Sequence, residues 1–167
     1  MNFKHYFYLI LTILSVGVFA SCDDDDKDEY PKTIETEKLL VNGEEVGDFY
    51  FSTEKEDSLH VIDSDSLLFT YKWYPILPAD RIEPPISLES NVDYTKSSVL
   101  LVGGSSGGIN KIEQTYVQES AGKYVFKVKI YLTGTEELRI WSVSAVVPKV
   151  DPSMKVSAEV EYFNPFD

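Results

Sequence analysis

The sequence contains few of the residue types that build most metal and nucleophilic sites. Its 167 residues include one cysteine and two histidines, so a disulfide within the chain is impossible and a Cys/His zinc cage is excluded. Lysine and arginine number 15 against 28 acidic residues, which gives a formal charge of −13. The basic residues form no cluster, and nucleic acid is excluded as a partner because phosphate binding needs concentrated positive charge. We expect neither a cofactor nor a metal ion.

Helical periodicity is also missing, since no segment repeats apolar residues every three or four positions. Alternation with a period of two is present instead in Tyr124–Leu132, Trp141–Val147 and Met154–Tyr162. The shorter candidate strands are Leu39–Val41, Phe49–Ser52, Leu59–Asp63, Leu67–Trp73, Val99–Val102 and Ile112–Gln118. These segments predict an all-β domain, an antiparallel two-layer β-sandwich of about eight or nine strands, as in immunoglobulin-like domains. A small barrel is the alternative.

Turn residues separate the candidate strands. Asn42-Gly43 predicts a hairpin, because both residues accept positive φ. Gly122 and Gly134 mark later turns, and the four prolines in residues 75–85 indicate a loop or an edge crossing.

The first residues have a different composition. Lys4 precedes an apolar run of 14 residues, Tyr6–Phe19. As a helix this run spans about 21 Å, which is short of a hydrocarbon core of roughly 30 Å and typical of a signal peptide. The following residues, Phe19-Ala20-Ser21-Cys22, resemble the lipobox of bacterial lipoproteins. The resemblance implies that residues 1–21 are a signal peptide and that Cys22 carries the lipid anchor, which attaches the protein to a membrane.

An acidic block follows the cysteine directly. Asp23, Asp24, Asp25 and Asp26 resemble the export signal of surface-exposed lipoproteins of the Bacteroidota, which implies a place on the outer face of the outer membrane. A plain acidic spacer is the alternative, with the domain facing either outward or the periplasm. We expect residues 22–36 to form a disordered acidic tether and residues 37–167 to form a single β-sandwich domain.

Two patterns invite a catalytic or metal-binding interpretation. Gly104-Ser105-Ser106-Gly107-Gly108 matches the G-x-S-x-G pattern of hydrolases, in which a histidine after the serine serves as base. The one histidine in the predicted mature chain, His60, precedes the serine, and the glycine-rich stretch predicts a flexible loop. Asp57, Asp63 and Asp65 lack the spacing of a calcium loop, so we expect solvated loop carboxylates.

Aromatic residues give the best indication of binding. Trp73 and Tyr74 lead into the proline-rich loop, where flat rings stack on sugars or peptides; for Trp73, core packing is the alternative. We therefore expect a non-catalytic, lipid-anchored sandwich that binds a glycan, a peptide or a partner protein. The alternatives are a small carbohydrate-active hydrolase with paired carboxylates and a structural subunit of an envelope or appendage complex.

Overall fold

The computed structural model describes residues 29–47, 51–53, 55–73, 88–135 and 137–165, with the main chain only at Ser52, Lys72 and Trp73. Within these ranges the chain forms eleven strands and one helical turn. The elements are β1 (Lys32–Ile34), β2 (Leu40–Val41), β3 (Glu44–Glu45), β4 (Phe51–Ser52), β5 (Ser58–Ile62), α1 (Asp65–Leu68), β6 (Lys72–Trp73), β7 (Ser97–Ser106), β8 (Ile109–Ser120), β9 (Lys123–Leu132), β10 (Arg139–Pro148) and β11 (Lys155–Phe163). Among the described residues, no helix is long and apolar enough to cross a membrane.

Two sheets form the body of the protein and confirm the predicted all-β sandwich. One has the strand order β1-β8-β9-β11 and the other the order β10-β7-β5, while β2–β3 and β4–β6 form two short pairs. One pairing departs from the predicted antiparallel arrangement, because β11 pairs with β9 in parallel. The parallel pair arises because the chain leaves the first sheet after β9, builds β10 in the second, and returns in the direction of β9.

The main core lies between the two sheets. The predicted alternation is confirmed here, since Phe126, Val128 and Ile130 of β9 are fully buried against Trp141 and Ala145 of β10. Burial of each such side chain contributes roughly 1.5–3 kcal/mol before entropy is subtracted. A period of two along both strands thus places their apolar side chains in one shared layer.

The three-stranded sheet is buried on its other face as well. Leu39, Phe51 and Leu68 come from the segments before β7 and pack on Val99 and Leu101 of that strand. Both faces of β7 are therefore apolar, which explains why its sequence Ser97–Ser106 shows no alternation.

Two local predictions differ from the structure. The sequence pattern predicts a strand over Leu67–Trp73, but α1 occupies its beginning and only β6 its end. Ser64 caps this turn, because its hydroxyl accepts the Leu67 N–H at 3.2 Å, and Leu68 is then buried. Within the predicted tether, Lys32–Ile34 pairs with Tyr116–Gln118, so regular structure begins before residue 37.

The hairpin prediction is confirmed. Asn42 and Gly43 have φ of 51° and 83° and connect β2 to β3, as a two-residue hairpin turn requires. The Asn42 side chain also accepts the Glu89 N–H at 3.1 Å, which holds the turn against the segment before β7. The predicted loop of residues 75–85 lies outside the described residues.

The sandwich has two distinct ends. The chain enters the fold at Lys32, which pairs with Gln118 near the end of β8. We call this the entry end; it also contains the β8–β9 turn at Gly122, next to the start of β11. The opposite end holds the start of β8 at Ile109, about 30 Å away along the strand at 3.3–3.4 Å per residue.

Candidate functional site

The residues chosen from the sequence do not assemble into a site in the described part of the chain. Cys22, the block Asp23–Asp26 and Tyr74 lie outside the described residues. Trp73 is described by its main chain, which pairs with Phe51 in the β4–β6 ladder. The site must therefore be sought from the geometry of the remaining residues.

The serine of the hydrolase-like pattern is in a strand, and the prediction of a flexible loop is wrong. Gly103 and Gly104 belong to β7 and pair with β10. A Cβ at Gly104 would lie 3.0 Å from Cζ2 of Trp141 and from Oδ1 of Asp57. Glycine is thus required by close packing on the tryptophan ring, which is its usual role inside a strand.

The hydroxyl of Ser106 has no histidine partner among the described residues. It donates to the main-chain oxygen of Gly107 at 3.2 Å, while Nδ1 of His60 lies 2.9 Å from the Tyr71 hydroxyl. Burial lowers the pKa of His60 below its usual value. A neutral, half-buried histidine bound to a tyrosine does not activate this serine.

Two of the three aspartates considered as calcium ligands make hydrogen bonds to other parts of the chain, so they are not simply solvated loop groups. Asp57 accepts the Tyr162 hydroxyl at 2.9 Å. Asp63 accepts hydrogen bonds from Ser98 and Lys149, each at 2.7 Å. Within the described ranges, no three His, Cys, Asp or Glu side chains are placed to hold a metal ion.

Four large apolar side chains are exposed at the end of the sandwich opposite the entry end. Leu138 and Ile140 lie at the start of β10 and are 74% and 54% exposed. Tyr162 and Phe163 lie at the end of β11 and are 39% and 38% exposed. We call this end of the sandwich, with these four side chains and Tyr131, the apolar end. Ile140 is on the face of β10 opposite Trp141, whereas Phe163 is on the outer face of the other sheet, so the two are exposed on different sides. Of the described residues, one other large apolar side chain has comparable exposure, Leu67 at 41%, and it lies toward the entry end.

The rings of Tyr131 and Phe163 stack on each other across the parallel strands. Their centroids are 5.0 Å apart with planes at 18°, because the two residues are directly opposite in the β9–β11 register. The Lys111 ammonium lies 5.9 Å from the Tyr131 ring, and the Lys129 ammonium lies 5.8 Å from the Phe163 ring. These rings therefore use face contacts within the protein and do not form a flat open platform.

Tyr162 connects the apolar end to the core. Its ring meets that of Trp141 edge to face at 6.3 Å, and its hydroxyl binds Asp57 as described above. Burial and the hydrogen bond to Asp57 both raise the pKa of Tyr162, so the phenol stays protonated at neutral pH. Tyr162 is consequently held against the fully buried Trp141.

Several charges around the apolar end are paired within the chain. Glu113 binds the Lys111 ammonium and accepts the Tyr131 hydroxyl at 3.0 Å. Arg139 binds Glu137 at 3.0 Å. These contacts lower the pKa of Glu113, first through Lys111. A partner of the apolar end thus meets apolar groups and a rim in which these charges are already compensated.

A cleft of about 600 Å³ lies away from the apolar end. It is lined by Glu35, Thr36, Glu37, Lys96, Ser97 and Val146–Pro148. Glu37 and Val146 exchange two main-chain hydrogen bonds of 2.9 Å at this place. The cleft therefore marks the crossing of the chain from β1 to β10, and its lining brings no catalytic pair together with a base.

Comparison with protein-family models, with curated proteins and with solved structures finds no match to this chain. The site therefore depends on geometry alone. One sign of the apolar end is visible in the sequence, since Tyr131 stands among lysines on the polar face of β9. Leu138 and Ile140 carry no such sign, because their exposure depends on where β10 begins relative to its neighbours.

Proposed function

We propose that this chain is a lipid-anchored protein of the cell surface whose β-sandwich binds a partner protein through the apolar end. The observation that carries the proposal is the exposure of Leu138 and Ile140, two residues apart at the start of β10, at the end opposite the entry of the chain. Neighbouring apolar side chains that stay exposed are typical of sites of protein association. A tether that leaves at Lys32 is attached at the other end of the sandwich, so it leaves this end accessible to another protein.

The chemistry of the apolar end favours a protein over a glycan. Leu138 and Ile140 are aliphatic and offer no flat face for a sugar ring, and they are the most exposed of the four side chains. Tyr131 and Phe163 stack on each other. A partner with its own apolar patch and hydrogen-bonding rim fits such a surface, since the core of a protein interface is apolar and depleted in charge.

A photo-crosslinking amino acid placed at position 138 of the full chain in its native cell tests this proposal. The matched control is the same amino acid at position 67, because Leu67 is also exposed but lies toward the other end. We expect position 138 to capture one defined protein that position 67 does not capture.

The captured protein is then purified and its affinity for the chain is measured. Leu138→Ser is expected to weaken binding by about tenfold or more, as truncation of a central apolar contact does, while Leu67→Ser leaves the affinity unchanged. Equal capture at both positions, or equal affinity of both variants, contradicts binding through the apolar end.

A further inference from the structure

Strand β11 forms an open edge of the four-stranded sheet. It runs from Lys155 to Phe163 and pairs with β9 along one side. In the described part of the chain, no strand pairs with its other side. An edge strand of this length presents a row of N–H and C=O groups that can pair with another strand. Among the described residues, the outward backbone groups of β11 are therefore open to pairing with a second chain.

Two charged side chains of β11, Lys155 and Glu161, lack the ion pairs that their neighbours on the outer face of this sheet make within the described ranges. Ion pairs on that face are Lys111–Glu113, Lys123–Glu119, Lys127–Glu119 and Lys127–Glu159. Lys155 and Glu161 make no ion pair with any residue in the described ranges. Lys155 lies opposite Lys123, a like charge, and Glu161 lies opposite Lys129, whose ammonium is placed over Phe163. Both residues retain an uncompensated charge.

We propose that two copies of this chain pair through β11, antiparallel to each other, about a two-fold axis at Ala158. In a regular antiparallel ladder, residues whose backbone groups point away from β9 must face residues of the same kind on the other copy. The two-fold axis therefore lies midway between two copies of the same residue. An axis at Glu159 sets two carboxylates opposite each other, and an axis at Ser157 aligns a shorter part of β11. An axis at Ala158 has neither defect.

The register about Ala158 satisfies the two uncompensated charges. Because opposing positions are equally far from the axis, Lys155 of one copy faces Glu161 of the other, and the pair occurs twice by symmetry. Val156 faces Val160 on the inner side in the same way. Cross-strand pairs of opposite charge and of β-branched residues stabilise a sheet. The two four-stranded sheets then form one continuous sheet.

The pairing leaves Leu138 and Ile140 free for a partner, although the apolar end also includes the last residues of β11. Leu138 and Ile140 belong to the chain around β10, which is in the other sheet, so β11 pairing does not cover them. The antiparallel arrangement turns the two entry ends in opposite directions. A short strand-to-strand contact of this kind buries less surface than a standard interface, and the dimer is accordingly weak.

Sedimentation velocity over a range of concentrations tests the dimer. The sample is the chain from residue 22 onward with Cys22→Ser, which retains every described residue, in about 0.15 M salt to screen the net negative charge. We expect a reversible monomer–dimer equilibrium. Lys155→Glu and Glu161→Lys should each weaken dimerisation by about tenfold or more, because each creates two like-charge pairs. A monomer at all concentrations overturns the proposal.

A mixture of the two variants gives the decisive result. When Lys155→Glu pairs with Glu161→Lys, position 155 of each copy faces position 161 of the other with a carboxylate opposite an ammonium. Both cross-strand pairs become attractive again, and we expect a heterodimer. Failure of the mixture to associate, with both variants folded by circular dichroism, overturns the register. Recovery of Lys155→Glu by Glu159→Lys in place of Glu161→Lys also overturns it, in favour of an axis at Ser157.

The apolar end supplies the remaining control. Leu138→Ser should leave the dimerisation constant unchanged, because this residue is remote from β11 pairing. Loss of the dimer in this variant would assign self-association to the apolar end and overturn pairing through β11. Dimerisation without capture of a partner at position 138 would leave β11 pairing intact while contradicting the proposed function.

Discussion

The two ends of the sandwich differ in the side chains that stand where their strands begin and end. At the entry end, turn carboxylates bind neighbouring polar groups: Asp93 accepts the Thr95 hydroxyl and Asp151 the Ser153 hydroxyl, both at 2.6 Å. At the apolar end, Leu138 and Ile140 remain in water. Exposed apolar area costs about 25 cal/mol per Å² relative to burial. The turn carboxylates of the entry end are thus bonded within the chain, whereas Leu138 and Ile140 stay exposed, as the proposed partner site requires.

The largest effect is expected from the anchor itself. Cys22→Ser removes the thiol that the resemblance to lipoproteins assigns to lipid attachment, so the protein should be released from the membrane fraction. Fractionation of cells and labelling with a radioactive fatty acid measure this. The control is replacement of Asp23–Asp26 by alanine, which should keep the lipid but change access of an external protease. A Cys22→Ser protein that stays in the membrane fraction contradicts the anchor.

The next largest effect separates the base of the apolar end from its surface. Trp141→Ala should lower the free energy of unfolding by about 3–5 kcal/mol, because it empties a fully buried site. Ile140→Ala, at the adjacent position of β10, should change it by no more than about 0.5 kcal/mol. Urea denaturation of both variants provides the measurement. A large loss of stability in Ile140→Ala would mean that this side chain serves the fold.

The glycine packed on Trp141 gives a third prediction. Gly104→Ala should cost about 1–3 kcal/mol, because the new methyl group crowds the ring and Asp57. Ser106→Ala, two residues along the same strand, should have little effect. Thermal denaturation compares the two variants, and equal melting temperatures would contradict the packing role of Gly104.

The entry end has its own test in Asp63. Hydrogen bonds from Lys149 and then from Ser98 hold the pKa of Asp63 below its usual value, so its contribution to stability is present at neutral pH and lost as pH falls below about 4. Asp63→Asn should cost about 1 kcal/mol or less at pH 7, because solvent screens this partly exposed carboxylate. The difference from the natural protein should shrink toward pH 3. Melting temperatures measured from pH 7 to pH 3 decide this; a constant difference contradicts the assignment.

Much of the sandwich could be predicted from sequence because its long strands carry local patterns. Phe126, Val128 and Ile130 alternate with polar residues, and one buried face is enough to produce that period. Strand β1 and the parallel pairing of β11 depend on distant partners instead, and a three-residue strand such as Lys32–Ile34 has no pattern of its own. The capped turn at Ser64 shows a local hydrogen bond overriding strand propensity.

The candidate site was less accessible to sequence reasoning. Its members come from the ends of separate strands, and exposure is decided by how those ends align in space. Tyr131 and Phe163 meet because β9 and β11 are in parallel register, a relation that no local spacing encodes. The glycine-rich composition also led to the wrong prediction of a flexible loop, since Gly103 and Gly104 serve close packing in β7.

The exposed leucines at the two ends provide the last test, and their variants should have the smallest effect on stability. Leu138→Ser and Leu67→Ser both replace an exposed leucine, and each should change the free energy of unfolding by no more than about 0.5 kcal/mol. The two should differ in partner binding, because only Leu138 belongs to the apolar end. Calorimetric titration of the captured partner measures that difference at matched stability. If Leu138→Ser destabilises the protein by several kcal/mol, its side chain supports the fold, and the apolar end loses its most exposed contact residue.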